Sequence, residues 1–349
     1  MTELSEDKKT LQSVSPRKAI LPILIGVAVA VFLFYRNYQA EYLDFFIHAN
    51  LAAIGAAFFV LLARDIGYIY RIYYLTGKSL SRRASVFVVL LWEFASAVTP
   101  SAVGGTAVAI FILNREGIPM GKSLAYVMLT AILDNGFFIV AAPLVLLFTK
   151  GSVFNIEFSQ GFLIGFSISY TLIALYTFLM AYGLLVKPRA FKWILLKITA
   201  FRFFKRWRLA AYNTGNDMIR ASAEMRGKDG GYWLKAIGYT LFAWVARYAM
   251  LNFLIWAFTD LTLQNHLMIF SRQVILWIVM LISITPGSTG TAEYFFTEFY
   301  REFLGDFSSI VGIIWRIFTY YPYLFIGVLL LPYWLRKTGA QTSNKPLSQ

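Results

Sequence analysis

Thr99-Pro100-Ser101-Ala102-Val103-Gly104-Gly105-Thr106-Ala107 and Thr285-Pro286-Gly287-Ser288-Thr289-Gly290-Thr291-Ala292-Glu293 decide how this chain is read. Each cuts an apolar run that would otherwise be one helix. The run from Ala84 stops at Val98, and its continuation beyond the cut lasts only to Leu113; the second run stops at Ile284 and resumes through Glu293 and Glu298. A helix crossing a hydrocarbon core of about 30 Å needs about 20 apolar residues, and neither piece of residues 84–113 reaches that. Proline lacks an N–H and clashes with the preceding turn, so a Pro followed by glycines is a strong interruption. Residues 84–113 and 267–305 are therefore expected to be broken, re-entrant pairs of half-helices. Backbone freed at membrane depth has to be sheltered by protein or face a wet cavity. The alternative is two plain turns at the interface between short spans.

Outward from these cuts, the chain reads as an all-α polytopic membrane protein. Of 349 residues 58% are hydrophobic and 14% charged, against roughly 45–50% and 25% in soluble domains. About six uninterrupted spans are expected: Ala19–Tyr35, Asp44–Leu75, Ser123–Phe148, Gly161–Val186, Ala236–Phe258 and Phe307–Leu335. The first lacks a small-residue cleavage site and runs into Tyr35, Arg36 and Asn37, so it is read as a span and not a signal peptide. The expected organisation is a disordered N-terminus (1–18), a first membrane half (19–186), a connector (187–235), a second membrane half (236–335) and a short tail (336–349). The connector carries twelve Lys or Arg against three acids. Between Phe191 and Leu209 it mixes Trp193, Phe201, Phe203 and Trp207 with cations, the pattern of a helix lying among anionic headgroups; the alternative is a merely solvated connector.

The formal charge of +14 thus needs no nucleic acid. With the N-terminus inside and both broken segments returning to the side they entered, Lys and Arg number 25 in inside segments and three outside. That imbalance predicts cytoplasmic termini and a multi-pass protein of the cytoplasmic membrane. The two cuts repeat Thr-Pro, a Gly five residues beyond the Thr, and Thr-Ala soon after it, 186 positions apart, and they enter from opposite sides. An inverted repeat results, the construction in which interrupted helices meet near the midplane and open alternately to either face.

There is no cysteine, and His48 and His266 form no metal spacing, so neither a cofactor nor a metal is expected. Charged side chains do occur inside apolar runs, where each costs from about 2.5 kcal/mol upward unless paired or wet. Arg64, Arg247, Arg272 and Arg316 stand among Asp65, Glu93, Asp134 and Glu293. They are either structural ion pairs or the lining of a path. Guanidinium forks suit phosphate, and Glu93, Asp134 or Glu293 could carry protons. The candidate translocation residues are Arg64, Glu93, Thr99, Pro100, Gly104, Gly105, Asp134, Arg247, Arg272, Thr285, Pro286, Gly287, Gly290, Glu293 and Arg316. The path pictured is a polar cleft for an anionic headgroup whose chains stay in lipid.

The first cut with Asn114-Arg115-Glu116-Gly117 beyond it, the Asp134 span, and the late Thr285-Pro286-Gly287…Gly290…Glu293 element together resemble the flippase-like, lysylphosphatidylglycerol synthase transmembrane-region family. The resemblance covers roughly residues 20–335. It implies a lipid flippase module like the membrane half of the multiple peptide resistance factor, with an aminoacylated or other anionic phospholipid, or a polyprenyl-linked lipid, as cargo. Thr291-Ala292 and Ser288-Thr289 depart from the family's more apolar residues there, which leaves the headgroup open. Only 14 residues lie beyond Leu335, so lysyl transfer is not expected of this chain; a partner synthase or a homo-oligomer stays open. The competing readings are a secondary transporter of a small anion and a membrane subunit of a lipid-modifying enzyme.

Overall fold

The computed structural model describes residues 45–99, 101–154, 160–280, 288 and 290–343, and every element among them is helical. The expected first span, Pro100, Thr285, Pro286 and Gly287 lie outside the described residues.

Helix α1 (Leu51–Leu75) starts where the Asn50 side chain accepts from the backbone N–H groups of Ala52 and Ala53, and it ends before Gly77, whose φ is +61°. Ser81 caps α2 (Arg82–Val98) in the same way. Then come α3 (Ser101–Arg115), α4 (Met120–Phe148) and α5 (Gln160–Ala181), which loosens into a wider turn over Tyr182–Val186. The connector forms α6 (Pro188–Ile198) and α7 (Arg208–Arg226). The remaining helices are α8 (Gly230–Trp256), α9 (Leu263–Met280), α10 (Thr291–Leu304), α11 (Ser308–Thr319) and α12 (Tyr321–Ser343).

Among the described residues, four segments are long and apolar enough to cross a membrane: Leu51–Leu75, Met120–Phe148, Gly161–Val186 and Thr291–Thr338. The expected fifth span, now α8, is not one of them, because Arg247, Asn252 and a high content of Tyr and Trp dilute its aliphatic residues. The expected sixth span is not one helix. It divides at Tyr320, whose φ of −125° and ψ of −58° end α11, and α12 restarts with Pro322 in its first turn, where a missing N–H leaves no helical bond unmade.

The first cut is also narrower than its sequence suggests. Helix α3 begins at Ser101, so Gly104 and Gly105 lie inside a helix and not in a loop. Their role is close approach. A Cβ on Gly104 would stand 2.5 Å from the Thr99 Cβ, and one on Gly105 would stand 3.0 Å from the Ser96 Cα. The glycines let α3 fold back along α2.

Two apolar cores form. One joins α2, α3, α7 and α12 to one end of α1, α4 and α8 through residues such as Leu75, Phe94, Leu129 and Trp334. The other joins α5, α9, α10 and α11 to the opposite ends of the same three helices through Leu61, Phe138, Leu254 and Phe299. Outward faces stay apolar: Leu163, Ile164, Ile168, Leu172, Leu175 and Phe178 of α5 are all exposed. In water such a surface would aggregate; against lipid it costs nothing. At about 1.5 Å per residue, α1 and α4 are each longer than a hydrocarbon core. Arg64 of α1 and Asp134 of α4 fall between the two cores.

Candidate functional site

The seam between the two cores contains a cavity of about 360 Å³. Helices α1, α2, α3, α4, α8, α9, α11 and α12 all contribute to its wall. Both interrupted stretches reach it as well, the first through Thr99 and Thr106 and the second through Ser288.

Of the residues the sequence singles out, Glu93, Thr99, Asp134, Arg247 and Arg316 line this cavity. Arg64 lies behind the lining and is fully buried. Its Nε and Nη2 donate to Asp65 at 3.0 and 2.7 Å, and Nη2 also donates to the Tyr323 hydroxyl at 2.6 Å. Tyr323 donates in turn to the other Asp65 oxygen at 2.7 Å. The result is a closed triad tying α1 to α12.

Asp134 is the hub of a second group. Arg71 holds it with both terminal nitrogens, one of them at 3.1 Å, and the Trp244 indole N–H donates to it at 2.8 Å. Arg71 is buried and stacks over Tyr68 at 4.9 Å. Arg71 is not among the residues the sequence singles out, although it lies within the expected span Asp44–Leu75. The signal that could have found it is its spacing of seven residues from Arg64, two helical turns along the same face. Tyr68, Trp244, Tyr248, Trp277 and Tyr323 carry no comparable signal; aromatic side chains are too common in this chain for any one to stand out.

A third group braces the second interruption. Gly290, at φ +86°, donates its N–H to one Glu293 oxygen at 2.6 Å, and Arg316 Nε donates to the other at 2.8 Å. Glu293 thus ties the start of α10 to α11, with both its oxygens occupied.

Arg272 belongs elsewhere. It is buried, donates to the Phe299 carbonyl at 2.6 Å and pairs with the largely exposed Glu302, so it locks α9 to α10 and does not line the cavity. Gly104 and Gly105 serve the packing of α3 on α2 and do not line it either.

Arg247 is different again. Its guanidinium lies 5.3 and 4.9 Å from the ring centres of Trp244 and Trp277, and the carboxylate paired with it, Glu93, is 3.9 Å away, beyond hydrogen-bond length. Next to it on α8, Tyr248 lines the cavity, is buried, and has a hydroxyl with no hydrogen-bond partner among the described residues. A buried hydroxyl left unmade costs about 1–3 kcal/mol. A cation between aromatic walls forms a site that suits an anion. Among the described residues no cluster of three or more metal-ligating side chains occurs.

A family model described as the lysylphosphatidylglycerol synthase TM region matches residues 19–327 of the chain. A UPF0104 membrane protein of Archaeoglobus fulgidus is 26% identical over 333 residues, which cover 91% of this chain and 98% of that protein.

Proposed function

We propose, for a chain that belongs to the lysylphosphatidylglycerol synthase TM-region family, that it is a multi-pass protein of the cytoplasmic membrane moving an anionic or aminoacylated phospholipid, or a polyprenyl-linked lipid, between leaflets. The observation that carries this reading is the cavity shared by both interrupted stretches, with Arg247 aromatic-walled and loosely paired on its lining.

In this reading the headgroup enters the cavity while the acyl or prenyl chains remain along the apolar outer faces. Arg247 meets the phosphate, and Trp244 and Trp277 exclude water around it, which strengthens each charge-assisted bond. The triad of Arg64, Asp65 and Tyr323 and the group around Asp134 hold the walls. The two interruptions, related as an inverted repeat, are the hinges that expose the site to either leaflet in turn. The basic connector lies on anionic headgroups: Trp193, Phe201 and Phe203 are exposed, and Lys197 sits over the Trp193 ring at 4.4 Å.

The test is leaflet exchange. Purified protein is reconstituted into vesicles carrying fluorescent phosphatidylglycerol, lysylphosphatidylglycerol or prenyl-phosphate probes, and a membrane-impermeant quencher reports the outer leaflet. At least one probe should exchange faster than in protein-free vesicles, and Arg247→Ala should abolish the excess. Rates equal to protein-free vesicles for every probe would end the proposal.

A further inference from the structure

The charged groups at the seam can be paired off, and one pair does not match the rest. Arg64 with Asp65, Arg71 with Asp134, and Arg316 with Glu293 are each joined by hydrogen bonds. Glu93 is left between two cations, Arg64 at 3.5 Å and Arg247 at 3.9 Å, hydrogen-bonded to neither; of these two arginines, Arg247 shares the cavity lining with it. A buried ion pair is stable only when its geometry is close and its remaining donors are satisfied, so a loose one is the pair most easily exchanged.

Glu93 already leans toward the second cation. Its Oε1 is 3.5 Å from Arg64 Nη2, and Arg64 Nη1, on the same fully buried guanidinium, has no acceptor among the described residues. A small movement of the Glu93 side chain toward Arg64 would satisfy that orphaned donor and uncover Arg247. Arg71 on α1 and Tyr323 on α12 also act on this carboxylate, and both are already held by carboxylates of their own.

We propose that Arg247 is the phosphate-recognition residue and that Glu93 is its internal counter-ion, which an incoming phosphate anion displaces onto Arg64. This rests on the translocation reading and names the chemistry of its site: a phosphate ester or free phosphate, held by the Arg247 fork. The exchange explains how a site built for an anion avoids an isolated buried charge when empty. Glu93 fills the place of the ligand, and its second anchor on Arg64 lets it leave without becoming an unpaired carboxylate. It also sets a ceiling on affinity, because each anion bound must separate Glu93 from Arg247.

The consequence is unusual for a binding-site acid: neutralising Glu93 should tighten binding. A unit charge about 4 Å away at an effective dielectric near 20 corresponds to about three powers of ten in affinity, and most of that is returned because Arg64 stabilises the displaced carboxylate. About tenfold tighter binding is expected. Full-length protein in detergent is titrated with inorganic phosphate in one arm and dihexanoylphosphatidylglycerol in the other, with dihexanoylphosphatidylcholine as the zwitterionic comparison, and intrinsic tryptophan fluorescence reports occupancy beside Trp244 and Trp277. Glu93→Gln should bind one or both anionic probes about tenfold more tightly than wild type, and Arg247→Gln should bind neither. The arm that responds identifies a headgroup or a free anion as the ligand. If Glu93→Gln does not fold, Glu93→Asp, which draws the charge back by one methylene, should tighten binding by a smaller factor. Unchanged or weaker binding in whichever variant folds, wild-type affinity in Arg247→Gln, or no binding of either anion to wild type overturns the proposal. Tighter binding in Glu93→Gln with no lipid exchange in vesicles would uphold this site and sink translocation; exchange that needs Arg247 but shows no effect of Glu93 on affinity would do the reverse.

Discussion

Replacing one partner of the Arg71–Asp134 pair should destabilise the protein more than replacing both. Asp134→Asn removes the charge that the buried Arg71 guanidinium faces and keeps an oxygen for the Trp244 N–H. The hydroxyl of Thr240, 3.4 Å from Arg71, is no substitute for a carboxylate. Breaking a buried pair in this way costs about 3–5 kcal/mol, or two to nearly four powers of ten in the unfolding equilibrium at about 1.4 kcal/mol per power. Arg71→Met is expected to cost less, about 1–3 kcal/mol. The carboxylate it strands is 23% exposed, through the cavity, and retains the indole donor at 2.8 Å. With both charges gone, the double variant should lie within about 1 kcal/mol of wild type, so the cycle yields a coupling of about 3 kcal/mol or more. Unfolding is tracked by tryptophan fluorescence as sodium dodecyl sulfate is titrated into mixed micelles. Small, additive effects from the two single variants would refute the reasoning, since they would mean that cavity water already screens the pair.

Two further outcomes concern helix packing and the second interruption. Gly121→Ala would place a Cβ 2.6 Å from the Asp217 Cβ and 2.9 Å from the Met218 nitrogen, pushing α7 off α4; a loss of about 1–3 kcal/mol and faster tryptic cleavage of residues 187–228 are expected, whereas Gly136→Ala on the same helix, with nothing within 4 Å, should be neutral or slightly stabilising. Glu293→Gln should lower stability by about 3–5 kcal/mol, because Arg316 is only 6% exposed and Glu293 is bonded to it; an unfolding midpoint equal to wild type, together with lost lipid exchange, would instead make Glu293 a direct participant in transport.

The helical membrane class and the position of the first cut could be read from the sequence, because both come from local chemistry: long apolar runs, and a proline that cannot continue a helix. The features that could not be read depended on which faces meet. Arg71 sits at the end of an apolar run among residues that look like a cytoplasmic flank, and only its register with Arg64 and the approach of α4 make it a buried partner of Asp134. Arg247 and Arg272 are each a single arginine in an apolar stretch. One faces the cavity beside Glu93 and the other faces Glu302, and no local pattern separates them. Gly104 and Gly105 look like loop residues beside a proline, yet the contact they permit is with α2, which is a tertiary fact. The division at Tyr320 is hidden because an apolar run says nothing about continuity, and Pro322 is tolerated in a first turn as readily as in a break.

The interruptions and the charges are better understood as one construction than as two. Pro100 cannot donate to the carbonyl four residues before it, and in hydrocarbon each unpaired backbone group costs several kcal/mol. Two carbonyls just before this cut have partners within the protein: the Ala95 carbonyl accepts both the N–H and the hydroxyl of Thr99, at 3.0 and 2.6 Å, and the Ala97 carbonyl accepts the Tyr320 hydroxyl at 3.2 Å. Tyr320 is itself the residue at which α11 ends, and Arg316 of that same helix lies 4.9 Å from its ring while bonding Glu293 at the second cut. Thr99, Tyr320 and Arg316 all line the cavity. Tyr320, which occupies a carbonyl beside the first cut, is therefore also one of the side chains that make the cavity polar, and Tyr320→Phe would remove a backbone partner and a polar group of the lining at once.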